Sequence, residues 1–91
     1  MKWYRRAAEQ GNGVAQNNLG LMYELGRGAP QDHVQAHLWY TLAASELPPG
    51  AHRDQAVKNR DIVASKMTPA QLAETQRLAG DWKPKPEAPA R

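Results

Sequence analysis

The chain contains no cysteine and no phenylalanine. Without cysteine there is no disulfide framework, no thiolate zinc site and no cysteine nucleophile. The redox compartment stays open, because a thiol-free chain suits cytosol and periplasm alike. Without phenylalanine, the only large rings are Trp3, Tyr4, Tyr23, Trp39, Tyr40 and Trp82, so a core must be built from these, alanine and leucine. Long apolar runs are missing too. The longest extend over a few residues, too few to span a membrane. The start, Met1-Lys2-Trp3-Tyr4-Arg5-Arg6, is basic but has no apolar segment behind it, unlike a secretory signal. Localisation is therefore not legible, with cytoplasm or periplasm the choices if a further N-terminal part exists. With 91 residues and a mean hydropathy of −0.77, there is room for one small domain and none for a large enzyme with a deep cleft.

The formal charge of +3 and pI of about 9.5 raise the question of a nucleic-acid partner. Up to Trp82 the chain has nine basic and eight acidic residues, and Lys83, Lys85 and Arg91 against Glu87 supply the remaining excess. Arg53-Asp54 and Arg60-Asp61 place opposite charges side by side. Phosphate binding needs a continuous basic stripe, and the basic clusters are short: Lys2/Arg5/Arg6 and Lys83/Lys85. The charge pattern argues against nucleic acid, as the hydropathy argues against a membrane partner.

What is present is a repeat. Trp3-Tyr4-Arg5-Arg6-Ala7-Ala8 returns as Trp39-Tyr40-Thr41-Leu42-Ala43-Ala44, 36 residues later, and Ala15 aligns with Ala51 at the same offset. A period of this length points to stacked helical hairpins. The patterning predicts helices at about 2–10, 14–25, 32–45, 51–66 and 69–82, with no strand alternation. In the first, Trp3, Ala7 and Gln10 share one side; in the second, Ala15, Leu19, Met22 and Tyr23 recur at helical steps. Gly11-Asn12-Gly13 and Gly26-Arg27-Gly28 read as stops, with Pro30 beyond. Asp32 with Gln35, and Thr68-Pro69 with Gln71, read as capping-box starts. Ala36, Tyr40 and Ala43, with Trp39 beside them, form the third apolar face. Ala56, Val63 and Met67 form the fourth, with Ile62 alongside. Leu72, Ala79 and Trp82, with Leu78 nearby, form the fifth. The last nine residues, 83–91, hold three prolines and little to bury, which predicts a disordered tail.

At these residues the chain resembles the Sel-one-like repeat family, relatives of the tetratricopeptide repeats. The matching segments are Trp3-Tyr4-x-x-Ala7-Ala8-Glu9-Gln10-Gly11, then Ala15-Gln16-x-Asn18-Leu19-Gly20-x-Met22-Tyr23-x-x-Gly26-x-Gly28, then Gln31-Asp32 and Ala36-x-x-Trp39-Tyr40-x-x-Ala43-Ala44. Met67-Thr68-Pro69-x-Gln71-Leu72-Ala73-Glu74 also resembles the closing helix of bacterial members. The resemblance implies an all-α superhelix, a solenoid of stacked antiparallel hairpins. About 2.5 repeats at the 36-residue period would occupy residues 1–82, ending in a capping helix. Departures at Ala56, aligned with Gly20, and Asn59, aligned with Tyr23, mark the last unit as degenerate. The first helix lacks its hairpin partner, which suggests a fragment of a longer array, able to self-associate through that open end if it is not a monomer.

Chemical motifs are sparse. His33 and His37 stand at i and i+4, a metal-ligand spacing, but no cysteine or neighbouring general-base glutamate accompanies them. The Gly-x-Gly elements lack the Lys-Ser/Thr of a phosphate loop. Ser45 and Ser65 have no histidine–acid setting, and Glu24, Asp54 and Asp61 suit a solvated helix face. No cofactor or metal is implied. The resemblance implies instead a non-enzymatic adaptor or scaffold, of the kind that serves bacterial signalling, secretion and envelope assembly and quality control in the endoplasmic reticulum. Its partner would be a protein or peptide. In related repeats the first helix of each hairpin lines a groove. That register places Asn17, Leu21 and Glu24 on one stripe and Arg53, Val57 and Arg60 on the next. Leu21 and Val57 would then be an apolar centre within polar rims, or would pack against each other between neighbouring helices. The alternatives are a structural C-terminal cap of a longer repeat protein that regulates an enzyme, and a metal-binding or catalytic role through His33 and His37.

Overall fold

Glycine and short polar residues divide the sequence into helices, and each boundary has an identifiable cap. The computed structural model describes residues 2–84. It has helices α1 (Lys2–Glu9), α2 (Gly13–Leu25), α3 (His33–Glu46), α4 (Ala51–Ala64) and α5 (Pro69–Asp81), and no strand among the described residues. Asn12 opens α2 by accepting from the Ala15 backbone N–H at 2.9 Å. Gly26 closes it at φ 70°, a left-handed conformation that glycine adopts without a Cβ penalty. At α5 both halves of the capping box form: the Gln71 N–H donates to Thr68 Oγ1 at 3.1 Å, and the Thr68 N–H donates to Gln71 Oε1 at 2.9 Å. At α3 only one half forms, from the Gln35 N–H to Asp32 Oδ1 at 3.1 Å. The predicted tail lies outside the described residues from 85 onward.

The helices stack in chain order. α1 packs on α2, α2 on α3, and α3 on both α4 and α5, while α2 and α4 touch lightly. α3 is therefore enclosed, with Ala36, His37, Leu38, Trp39, Tyr40, Leu42, Ala43 and Ala44 all buried. A helix that is apolar on nearly every side is one that neighbours surround. The expected Ala36–Tyr40–Ala43 face is present, and Leu38 and Leu42 extend burial to the opposite side.

Close approach of α2 to α3 depends on Gly20. A Cβ there would stand 2.7 Å from Tyr40 Cδ1 and 3.2 Å from the Ala36 carbonyl oxygen, so the ring occupies the place of the missing side chain. The Tyr40 hydroxyl donates to Glu24 Oε1 at 2.6 Å, closing the same helix pair one turn further on. Trp39 meets Trp82 edge to face, with centroids 6.3 Å apart, and so fixes the C-terminal end of α5 on α3.

Three expected faces differ. In α1, Trp3 is 73% exposed and Gln10 is exposed, while Ala8 is fully buried and Tyr4 and Ala7 are partly covered. α1 has α2 as its main neighbour, so it buries a narrower stripe, rotated by about one residue. Gln16 anchors that stripe by donating to the Ala8 carbonyl at 3.0 Å. In α4, Ala56 and Val63 are fully buried and Met67 is partly so, but Ile62 turns outward. In α5 the most buried residue is a polar one, Thr75, with Leu78, Ala79 and Trp82 packed around the core at partial exposure.

Candidate functional site

The two predicted surface stripes lie on α2 and α4, joined by side-chain amides. Asn59 Nδ2 donates to Asn17 Oδ1 at 3.2 Å, and Gln55 Nε2 donates to Asn59 Oδ1 at 2.9 Å. Asn17 is thus half-buried and engaged within the fold. Glu24 is engaged as well, as the acceptor for Tyr40, while its backbone carbonyl accepts from Gln31 Nε2 at 2.9 Å. Burial, the Glu24 hydrogen bond and the Glu24 charge, in that order, push the Tyr40 hydroxyl well above its ordinary value. It stays protonated and keeps donating.

Leu21, by contrast, is 41% exposed. It opens onto a hollow of about 230 Å³ with Tyr4, Asn18, Met22, Leu25 and Arg27, on the side of α2 that meets α1. Val57 is half-buried against Ala43, Ala44 and Ala56. Its apolar surface goes to α3, and its outer edge joins a shallow depression with Asp54, Asp61 and Ile62. Arg53 is exposed on α4. Arg60 borders a third hollow, between α3, α4 and α5. Leu21, Val57 and Arg60 thus each line a different depression, and the Asn17–Asn59 hydrogen bond links the two stripes.

A family model of the Sel1 repeat matches residues 1–12 and 13–46. The chain belongs to the Sel1 repeat family. The break between the two matched segments falls where α2 begins, so the longer match covers the α2–α3 hairpin and the shorter one covers α1. The α4–α5 hairpin continues the helical solenoid. Sel1 repeats are generally protein-interaction modules, typically non-catalytic. No curated protein and no solved structure gives a significant match to the chain.

His37 is engaged within the fold. His37 is buried, and its Nδ1 lies 2.9 Å from Thr75 Oγ1 and 3.4 Å from Thr41 Oγ1. The Thr75 hydroxyl donates to the Leu72 carbonyl at 2.9 Å, and the Thr41 hydroxyl donates to the His37 carbonyl at 2.8 Å. Each threonine has a single proton to give, so the bonding pattern assigns the imidazole proton to Nδ1 and leaves Nε2 as the basic atom. Burial lowers the His37 pKa below its ordinary value, the nearby Arg60 charge lowers it further, and Asp61 opposes them. His37 thus holds α5 to α3 rather than standing beside His33 on a free face. Among the described residues, no three His, Cys, Asp or Glu side chains gather as a metal set. Nor, among those residues, is any helix long and apolar enough to cross a membrane.

Thr41, Thr75 and Gln76 escaped the sequence reading. One signal was available for Thr75. It follows Leu72 by three residues and precedes Ala79 by four, a polar residue in the middle of an apolar stripe. Such a residue requires a hydrogen-bonding partner on the facing helix.

Proposed function

We propose that the chain is a non-enzymatic adaptor that presents the α2–α4 face to a protein or peptide partner. Contacts come from Asn17, Leu21 and Glu24 on one helix and Arg53, Val57 and Arg60 on the other. The observation that carries this reading is Leu21. The core-facing side of α2 is filled by Ala15, Leu19 and Tyr23, whereas Leu21 and Leu25 remain exposed beside Met22 and Tyr4. Apolar side chains grouped around a hollow and edged by Asn18 and Arg27 suit the apolar centre and polar rim of a contact surface. Membership of a family of interaction modules supports the same conclusion.

The test is capture of a partner from the source organism, identified by mass spectrometry and repeated with purified components. Leu21→Asp and Arg60→Glu each abolish binding of that partner while far-UV circular dichroism stays unchanged. Binding retained by both variants refutes this placement of the surface.

A further inference from the structure

The hollow between α3, α4 and α5 combines a guanidinium with an imidazole, which neither the Leu21 hollow nor the Val57 depression does. It measures about 240 Å³ and is lined by His37, Thr41, Arg60, Leu72, Thr75 and Gln76. At roughly 30 Å³ per water it holds a carboxylate and several carbons. The lining contains one permanent cation, one titratable base and no acid. By contrast, the depression around Val57 has Asp54 and Asp61 in its wall.

The donors are available. Arg60 directs Nε and one terminal nitrogen to a single oxygen of Asp61, at 3.3 and 3.2 Å, which occupies two of its five N–H groups. That pair is exposed on the Asp61 side, where the side chain is 66% accessible, so it holds the guanidinium weakly. Gln76 contributes an amide. His37 Nδ1–H is already committed to the threonine hydroxyls, so Nε2 is the imidazole atom left to meet a ligand, as an N–H once protonated. Leu72 supplies an apolar wall. The charged groups around His37 are Arg60 and Asp61 on α4, and a second titratable side chain, His33, lies one turn away on α3; on α5, Glu74 and Asp81 both pair with Arg77.

We propose that this hollow is a carboxylate-binding subsite that takes an acidic side chain or a C-terminal carboxylate of a peptide partner. Arg60 is the fixed cation, and His37 takes up a proton from solvent at Nε2 as the carboxylate enters. The proposal rests on the protein-binding reading above and specifies the chemistry of one part of the partner. Proton uptake follows from the geometry. An anion beside the ring offsets the Arg60 charge and favours the imidazolium.

Three acetylated dipeptides test it on the whole chain. Acetyl-leucyl-glutamate amide carries only a side-chain carboxylate, acetyl-leucyl-leucine only a terminal one, and acetyl-leucyl-glutamine amide neither. Ring-proton NMR follows the His37 titration. At least one acid probe raises its midpoint by about one pH unit, the amount given by a tenfold preference for the charged ring. The probe that does so identifies the source, side chain or terminus. The neutral probe leaves the midpoint in place. Arg60→Gln weakens the effective acid probe roughly tenfold, as loss of a charged hydrogen-bond partner does, and Arg60→Lys restores part of it. No shift with either acid, or an equal shift with the neutral probe, overturns the subsite without recourse to any variant. So does binding unchanged in Arg60→Gln. The probes address this hollow and Leu21 lines another, so failure of the probes and failure of the Leu21 surface are separate results.

Discussion

Replacing Gly20 by alanine tests the account of how α2 meets α3. In an open helix interior the change stabilises, because alanine exceeds glycine by about 1 kcal/mol in helix propensity. At Gly20 the new methyl would lie 2.7 and 2.8 Å from Tyr40 Cδ1 and Cε1, where contacting carbons normally keep about 3.5–4.0 Å. The ring must withdraw by nearly an ångström. It has nowhere to go, since Tyr40 is fully buried, its hydroxyl is bonded to Glu24, and α3 has neighbours on almost every side. Overpacking of this kind costs about 1–3 kcal/mol. The propensity gain offsets about 1 kcal/mol of that, leaving a net loss of up to about 2 kcal/mol. In a domain of this size each kcal/mol lowers Tm by roughly 4–8 °C. Thermal and urea unfolding followed by far-UV circular dichroism measures the loss. Gly80→Ala is the control, because a Cβ at Gly80 meets nothing within 4 Å, and it leaves stability unchanged or raises it. In a Tyr40→Leu background Gly20→Ala loses most of its cost, giving a coupling of about 1 kcal/mol or more between the two positions. If Gly20→Ala stabilises the wild-type chain as Gly80→Ala does, the close approach is not what holds this pair together.

Two further expectations concern pH. The folded state keeps the Tyr40 proton above its ordinary value of 10.0, so the Tyr40 contribution to stability is level below pH 10 and falls as the unfolded chain ionises beyond it. Tyrosinate absorbance from Tyr40 therefore rises together with the loss of helical signal, and a Tyr40 ring that ionises in the folded chain contradicts the assignment. For His37 the folded pKa lies below the ordinary 6.5. Its contribution is complete above pH 6.5 and is lost as pH falls from there through the folded value, because the unfolded chain takes up the proton first. His37→Gln flattens this acid limb in urea titrations at a series of pH values, and an unchanged limb assigns it to other groups.

Helix positions and caps were legible because they are set by local chemistry. Glycine at a left-handed stop, an Asx or threonine cap and a proline at the first helical turn act within four residues. The repeat itself was legible because a rare Trp-Tyr pair, followed by Ala-Ala, returns after 36 residues. Trp3 shows where such reasoning fails. It holds the same repeat position as Trp39, yet one is 73% exposed and the other 4%, because α5 brings Trp82 against the second, whereas the ring against the first is that of its own chain neighbour, Tyr4. Burial belongs to the neighbour as much as to the residue. The candidate surface was legible to the level of helix and stripe. Its division into separate hollows was not, because that depends on Asn17 meeting Asn59, on Val57 settling against the alanines of α3, and on Thr75 reaching His37. The two hydrogen-bonded links span 42 and 38 residues, and Val57 packs across the turn between α3 and α4, all through residues without a periodic signal.

Because α1 and α2, α2 and α3, and α3 and α4 all pack as chain neighbours, most native contacts close short loops, while the α3–α5 and α2–α4 contacts reach across one intervening helix. Little chain entropy is lost before those contacts form, which places this topology among fast-folding ones. The order of events also follows. The α2–α3 hairpin is the part whose formation makes every later docking step local. α1 and α5, each packed chiefly on a single neighbour, are the last to dock and the first to leave. The chain folds outward from its middle and comes apart from its ends.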